Sequence, residues 1–468
     1  MRTAQRLIHC LFAPLLLLCV PGTVHAAAAT PRDSVADVAR SIQDHYYDVD
    51  RAAKIGEDLR KAATAGEFDR YTDPRDLATA LTERIKSHDG HFRVNWLAPE
   101  QRAADPRGPA QAVGAGPRLA PAGAGAGPGA GPRVRVRGRP GSNVAQPVDY
   151  ARRRNYGVHR VEVLPGNLGY LDLKEFADFR FGEPRAPARV ALESALQLLA
   201  STDALIIDLR DNGGGSPVSV GYLVSAFTPK GADIYSSFHW RDGDSLGSTS
   251  EAPQDWYPTP RLDVPLYLLT SARTASAAEA LVYTLKNVGR AVVIGETSAG
   301  AANPGAEIDA GNGFSVFVAT GSPTSPITHR NWEGSGIAPD VAVPQREALR
   351  TAQALALDSL LKKGLSGGDA IDARWALDAV RAESASAPAL AHAEYTGQYD
   401  RMRIEEDAGR LFLRNGKRPQ QPLAALQRDL FYLVDDPSVR VRFERDGGGR
   451  VASLETLRPD GSSNRYRR

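Results

Sequence analysis

Two stretches carry residue types and spacings suited to chemistry. Ser276 follows the apolar run Val264-Pro-Leu-Tyr-Leu-Leu269 after a short turn and opens a helical pattern that continues to Asn287. A serine at such a strand-to-helix turn exposes its Oγ at the carboxyl edge of a sheet. There the unpaired N–H groups and the dipole of a helix N-terminus favour negative charge. That suits a nucleophile whose attack creates an oxyanion. Read alone, the segment favours a serine that only caps its helix. The second stretch, Asp208-Leu-Arg-Asp-Asn-Gly-Gly-Gly-Ser216, also lies between an apolar run and a helical pattern. Its three glycines, Gly213 to Gly215, let backbone approach a ligand closely and could supply a further N–H donor. A phosphate-binding loop is the alternative, but neither G-x-G-x-x-G nor G-x-x-x-x-G-K-[ST] is present.

Six segments in order resemble the C-terminal processing peptidase superfamily of serine peptidases, in its tricorn-core and interphotoreceptor-retinoid-binding-protein-like branch. They are His88-Asp-Gly-His91, Gly166-Asn-Leu-Gly-Tyr-Leu171, Leu205-Ile-Ile-Asp-Leu-Arg-Asp-Asn-Gly-Gly-Gly215, Thr270-Ser-Ala-Arg-Thr-Ala-Ser-Ala-Ala-Glu279, Gly295-Glu-Thr-Ser-Ala-Gly300 and Asn331-Trp-Glu-Gly-Ser-Gly-Ile-Ala-Pro-Asp340. The likeness covers residues 31–100 and 158–345. It implies Ser276 as the nucleophile. The N–H of Ala277 would pair with that of Gly213 or Gly214 as an oxyanion hole.

One branch of the superfamily uses a Ser–Lys dyad, with the lysine directly after the last glycine of Gly295-Glu-Thr-Ser-Ala-Gly300. Here that position is Ala301, and there is no lysine between Lys286 and Lys362. Lys286 lies ten residues beyond Ser276 on the same helical pattern, nearly three turns away. The resemblance to the other branch implies His91 as general base and Glu333 as the acid that orients it. His88 is the competing imidazole; His91 is preferred because it directly follows Gly90. An ordinary histidine near pH 6.5 would make activity fall below about pH 6, whereas a limb near pH 9 would point to a lysine. Relatives often carry a PDZ domain after the helical segment; residues 101–157 are too rich in glycine and proline to form one.

The elements that must position these residues follow from composition and pattern. The chain has 468 residues, with 42% hydrophobic and 24% charged, as in a globular protein of two or three units. Residues 1–26 read as a cleaved export signal. They have a basic start at Arg2 and Arg6, an apolar run too short to span a membrane, and the cleavage site Val24-His25-Ala26. Both cysteines, Cys10 and Cys19, fall inside it, so no disulfide, thiolate metal site or cysteine nucleophile is expected afterwards. Ten arginines against two aspartates make 101–154 basic, while the rest is acidic, which does not fit a nucleic-acid binder. The basic segment is read as a solvated linker edge, with contact to an anionic envelope surface as the alternative.

Residues 27–100 read as an N-terminal helical domain and 101–157 as a Gly/Pro/Arg-rich linker. Residues 158–365 alternate continuous apolar runs with helices, an α/β core with a mainly parallel sheet. The resemblance gives that core the crotonase-like (ClpP/crotonase) type. Residues 366–389 form a helical connector, and 390–468 a small all-β domain, sandwich or barrel. No H-E-x-x-H spacing occurs, so neither metal nor cofactor is expected. The resulting expectation is an exported, periplasmic or extracellular serine peptidase acting on peptides or proteins, with no integral membrane span after signal cleavage. An esterase on the same serine, or a binder of hydrophobic ligands or partners, is the alternative.

Overall fold

The computed structural model describes residues 29–98, 150–242, 245–383 and 391–468. The proposed export signal and most of the proposed linker lie outside the described residues.

Three helices come first, each with a local reason to start. Pro31–His45 is opened by Thr30, whose side chain accepts the Asp33 N–H while Asp33 accepts that of Thr30. Val49–Thr64 is capped by Asp48. Pro74–Ile85 is capped by Asp73, with proline at its first position. Their buried faces, including Val35, Val38, Ile42, Leu59 and Leu81, share one apolar cluster with Val94, Phe314, Val316 and Val318. The last four belong to strands. The helices therefore pack on a small antiparallel sheet whose strands come from distant parts of the chain.

Strands are numbered along the chain. β1 is Arg93–Trp96, β2 Val158–Leu164, β3 Leu168–Leu173 and β4 Ala204–Asp208. β5 (Ser237–Asp242) and β6 (Ser245–Ser250) precede β7 (Leu266–Thr270) and β8 (Val292–Gly295). β9 (Gly305–Gly311), β10 (Phe314–Ala319), β11 (Gly321–Thr324) and β12 (Val341–Ala342) follow. The central sheet has the order β12-β8-β7-β4-β3-β2. Every neighbouring pair is parallel except β2–β3. β3, β4 and β7 are buried at every position, which is why they read as unbroken apolar runs. Helices Pro187–Leu198, Pro217–Ser225 and Ala277–Asn287 cover one face, and Gln345–Lys362 with Gly367–Ala382 the other. The core is thus a mixed α/β sheet covered on both sides.

β1, β10 and β9 form the antiparallel sheet under the N-terminal helices, and β11, β5 and β6 form another. The last segment, β13 (Gly397–Tyr399) to β20 (Ser463–Arg467), is an eight-stranded antiparallel meander in chain order. It curls towards a barrel: Asp400 beside the first strand donates to the Arg467 carbonyl of the last, at 2.8 Å. Arg440 docks it on helix Gly367–Ala382 by reaching Asp378 at 2.7 Å and stacking over Trp375. No helix among the described residues is long and apolar enough to cross a membrane.

Candidate active site

β4 and β7 are parallel neighbours, with Asp208 beside Leu269 at their carboxyl ends. The glycine loop leaves one strand and the Ser276 turn leaves the other, so chain topology brings the two stretches together. Asn212, wholly buried, ties them. Its side chain donates to the Leu173 carbonyl at 2.9 Å and accepts the Gly214 N–H at 2.9 Å, and its carbonyl accepts the Ala275 N–H at 3.1 Å. Gly214 has φ of 114°, and a Cβ there would stand 2.9 Å from the Ser276 Cβ. Only glycine fits that approach.

Ser276 is exposed and occupies the N-cap position of helix Ala277–Asn287. Its φ of 54° and ψ of −121° are not those of an ordinary N-cap, which is extended. Such a conformation costs about 1–3 kcal/mol and persists only where its surroundings impose it. Here the imposing group is Glu279. This fully buried carboxylate accepts the Ser276 N–H at 2.9 Å, the Ser298 hydroxyl at 2.6 Å, and the Gly300 and Ala301 N–H groups at 2.7 and 2.9 Å. Among the described residues, no acceptor takes the N–H of Ala277 or Gly213. The N–H of Gly214 is occupied by Asn212.

The second half of the site centres on His91, in the turn between helix Pro74–Ile85 and β1. Its Nδ1 lies 2.7 Å from Glu333 Oε1 and 3.3 Å from Asp89 Oδ1. Glu333 is fixed through its other oxygen, which accepts the N–H groups of Ala302 and Asn303 at 2.9 Å each. Asn331 accepts the Glu333 N–H at 3.0 Å and anchors itself to Ser322 and Pro323. The loop 298–303 therefore runs from one carboxylate to the other: Ser298, Gly300 and Ala301 donate to Glu279, Ala302 and Asn303 to Glu333. This joins the Ser276 turn to the His91–Glu333 pair.

The hydrogen bonds to Asp89 and Glu333 raise the His91 imidazole to about 10, against the opposing effect of burial. Burial pushes the Asp89 carboxyl up, but the bonds from His91 and Tyr46 outweigh it, and the net shift is downward. The sequence-based pH limb assumed an unperturbed histidine, and these two carboxylates remove that assumption. An alkaline limb therefore no longer separates a histidine base from a lysine.

The residues singled out by sequence fall as follows. Gly214 lies against Ser276 and Ala277 with Gly213 next before it in the chain, and His91 and Glu333 are in contact. His88 is exposed, one residue outside the carboxylate cluster. Lys286 pairs with Asp340. Ala301 presents its N–H to Glu279 where a dyad lysine would stand. Sequence reasoning assigned no role to Glu279, Asp89, Asn212 or Asn331. For Glu279 a signal existed: Ser276-Ala-Ala-Glu279 is the S-x-x-E spacing of a capping box.

Asp89, His91 and Glu333 place potential metal-ligand atoms within 4.8 Å of one another. The 2.7 Å nitrogen–oxygen distance is that of a shared proton. Ligands about 2.0–2.1 Å from a tetrahedral metal stand roughly 3.4 Å apart.

Comparison with known proteins bears on the same region. Residues 167–343 match Peptidase family S41, a segment that holds the glycine loop, Ser276, Glu279 and Glu333. Among relatives, the chloroplastic carboxyl-terminal-processing peptidase 1 of Arabidopsis thaliana is 29% identical over 189 residues, 40% of this chain and 35% of its own. The carboxy-terminal processing protease CtpB of Bacillus subtilis is 26% identical over 251 residues, 50% of this chain and 49% of its own. A solved structure of a putative peptidase from Parabacteroides merdae is 16% identical, covers 72% of this chain and 100% of its own, and has a TM-score of 0.46. The chain thus spans between a third and a half of the length of these two curated relatives. His91 lies outside the matched S41 segment and reaches it only through the fold.

Proposed function

We propose that this chain is an exported serine peptidase that hydrolyses peptide bonds through an acyl-enzyme, with Ser276 as nucleophile, His91 as general base and Glu333 as its orienting acid. The observation that carries this reading is the 2.7 Å contact between His91 Nδ1 and Glu333 Oε1. With Nδ1 committed to a carboxylate, Nε2 is the nitrogen left to take the Ser276 proton and return it to the leaving amine. The Ala277 and Gly213 N–H groups would receive the oxyanion; Gly214 would join only by leaving Asn212. Water then attacks the acyl-enzyme with His91 again as base. Ala301 at the dyad position, and Lys286 held by Asp340, argue against a lysine base. The parallel strands covered by helices on both faces are compatible with a core of the crotonase-like type. Export, to the periplasm or beyond, rests on the sequence of residues 1–26.

Digestion of denatured casein tests the reaction class. The wild type should cleave it and Ser276→Ala should not. A wild type that hydrolyses p-nitrophenyl acetate but leaves casein intact would make the protein an esterase instead.

A further inference from the structure

One carboxylate suffices to orient an imidazole, yet His91 Nδ1 faces two. Asp89 Oδ1 lies 3.3 Å from it and also accepts the His91 backbone N–H at 2.9 Å. Asp89 Oδ2 accepts the Tyr46 hydroxyl at 3.0 Å. Tyr46 directly follows helix Pro31–His45, is fully buried, and packs against Phe92 with ring centroids 5.0 Å apart. The Asp89 side chain is only 2% exposed. Burying a carboxylate is costly unless its partners compensate. An acid needed only to shape an Asp-Gly turn could sit in water. This one has both oxygens committed, one to the histidine and one to the N-terminal helices.

Building on the serine-peptidase reading, we propose that Asp89 is a positioning residue for His91: with Glu333 it brackets Nδ1, and through Tyr46 it ties the ring to the N-terminal helices. The two acids act differently. Glu333, at 2.7 Å, holds the Nδ1 proton and so sets the tautomer. Asp89, farther away, braces the turn and adds a second negative charge that stabilises the imidazolium formed when His91 takes the Ser276 proton. The groups facing the ring are Asp89 from its own turn and Glu333 from the opposite loop, with the Phe317 ring 6.2 Å away. Behind Asp89 stand Tyr46 and Arg51, whose guanidinium reaches the His88 carbonyl at 3.4 Å. A base held this way is strong once free, but it is free only at alkaline pH. The fraction available grows about tenfold per pH unit below its pKa.

The test is an NMR titration of the His91 ring in the full chain, paired with the pH dependence of fluorophosphonate labelling. Asp89→Asn keeps an acceptor for the His91 N–H and removes the charge. It should lower the His91 pKa by at least one unit and move the labelling limb down by the same amount. An unmoved titration in folded Asp89→Asn overturns the bracket. The ring titration needs no turnover, so a wild type that never labels at Ser276 overturns the peptidase reading instead. Should Asp89→Asn fail to fold, Tyr46→Phe deletes one hydroxyl and no charge. It should label several-fold more slowly with the limb in place; labelling at the wild-type rate overturns the tether.

Discussion

At the scale of single residues, the site rests on three carboxylates doing different things. Glu279 holds Ser276 in a backbone conformation that serine does not choose for itself, and four donors converge on it. Glu279→Ala leaves those donors buried without an acceptor. A loss on the order of 3–5 kcal/mol is expected in urea unfolding, with labelling of Ser276 abolished. Glu333→Gln keeps the shape and removes the negative charge facing Nδ1, so hydrolysis should fall about 10²–10⁴-fold. The His91 value also fixes the sign of the pH dependence. A base must be unprotonated to act, and its two acids raise it to about 10. The rate should therefore climb from neutral pH well into the alkaline range. A kcat/KM profile with its midpoint near 6.5 would contradict an imidazole raised by its two acids. Stability runs the other way: the charged form is favoured in the fold, so its contribution is complete below pH 6.5 and is lost as pH rises through about 10.

At the scale of elements, the decisive unit is the loop 298–303. It links the Glu279 cluster to Glu333, and it does so with backbone N–H groups except at Ser298. Such bonds leave no trace in side-chain identity, so the loop's role could not be read from Ser298-Ala-Gly-Ala-Ala-Asn303. The strand-turn-helix units around Ser276 and the glycines were legible, because continuous apolar runs and glycine triplets carry their own geometry. The pairing of β1 with β10 was not, since their partners are more than two hundred residues apart. The close approach of Gly214 to Ser276 gives an element-scale prediction. Gly214→Ala, at φ of 114° and with its Cβ 2.9 Å from that of Ser276, should push the two turns apart. Labelling should drop at least tenfold, measured as the second-order rate with a fluorophosphonate.

At the scale of the whole molecule, the candidate site is assembled from two distant stretches of chain. His91 and Asp89 come from the N-terminal helical segment; Ser276 and Glu333 come from the segment matching family S41. The joint is polar. Arg241 on β5 donates to the carbonyls of Gln43 and Tyr46 at 2.7 and 3.1 Å, and Tyr47 donates to the Ala319 carbonyl at 3.0 Å. Arg241→Ala should cost about 1–3 kcal/mol and slow labelling several-fold without moving its pH limb, because no charge facing His91 changes. Sequence alone separated the helices, the α/β core and the C-terminal strands by texture. It could not foresee that helices and core share an apolar cluster through β9 and β10, because shared packing depends on long-range pairing.

The most direct test of the triad is the mapped adduct of a fluorophosphonate probe. The wild type should be labelled at Ser276, Ser276→Ala should carry no adduct, and His91→Ala and Glu333→Gln should label at least a hundredfold more slowly while remaining folded. Labelling of folded His91→Ala at the wild-type rate would contradict the account.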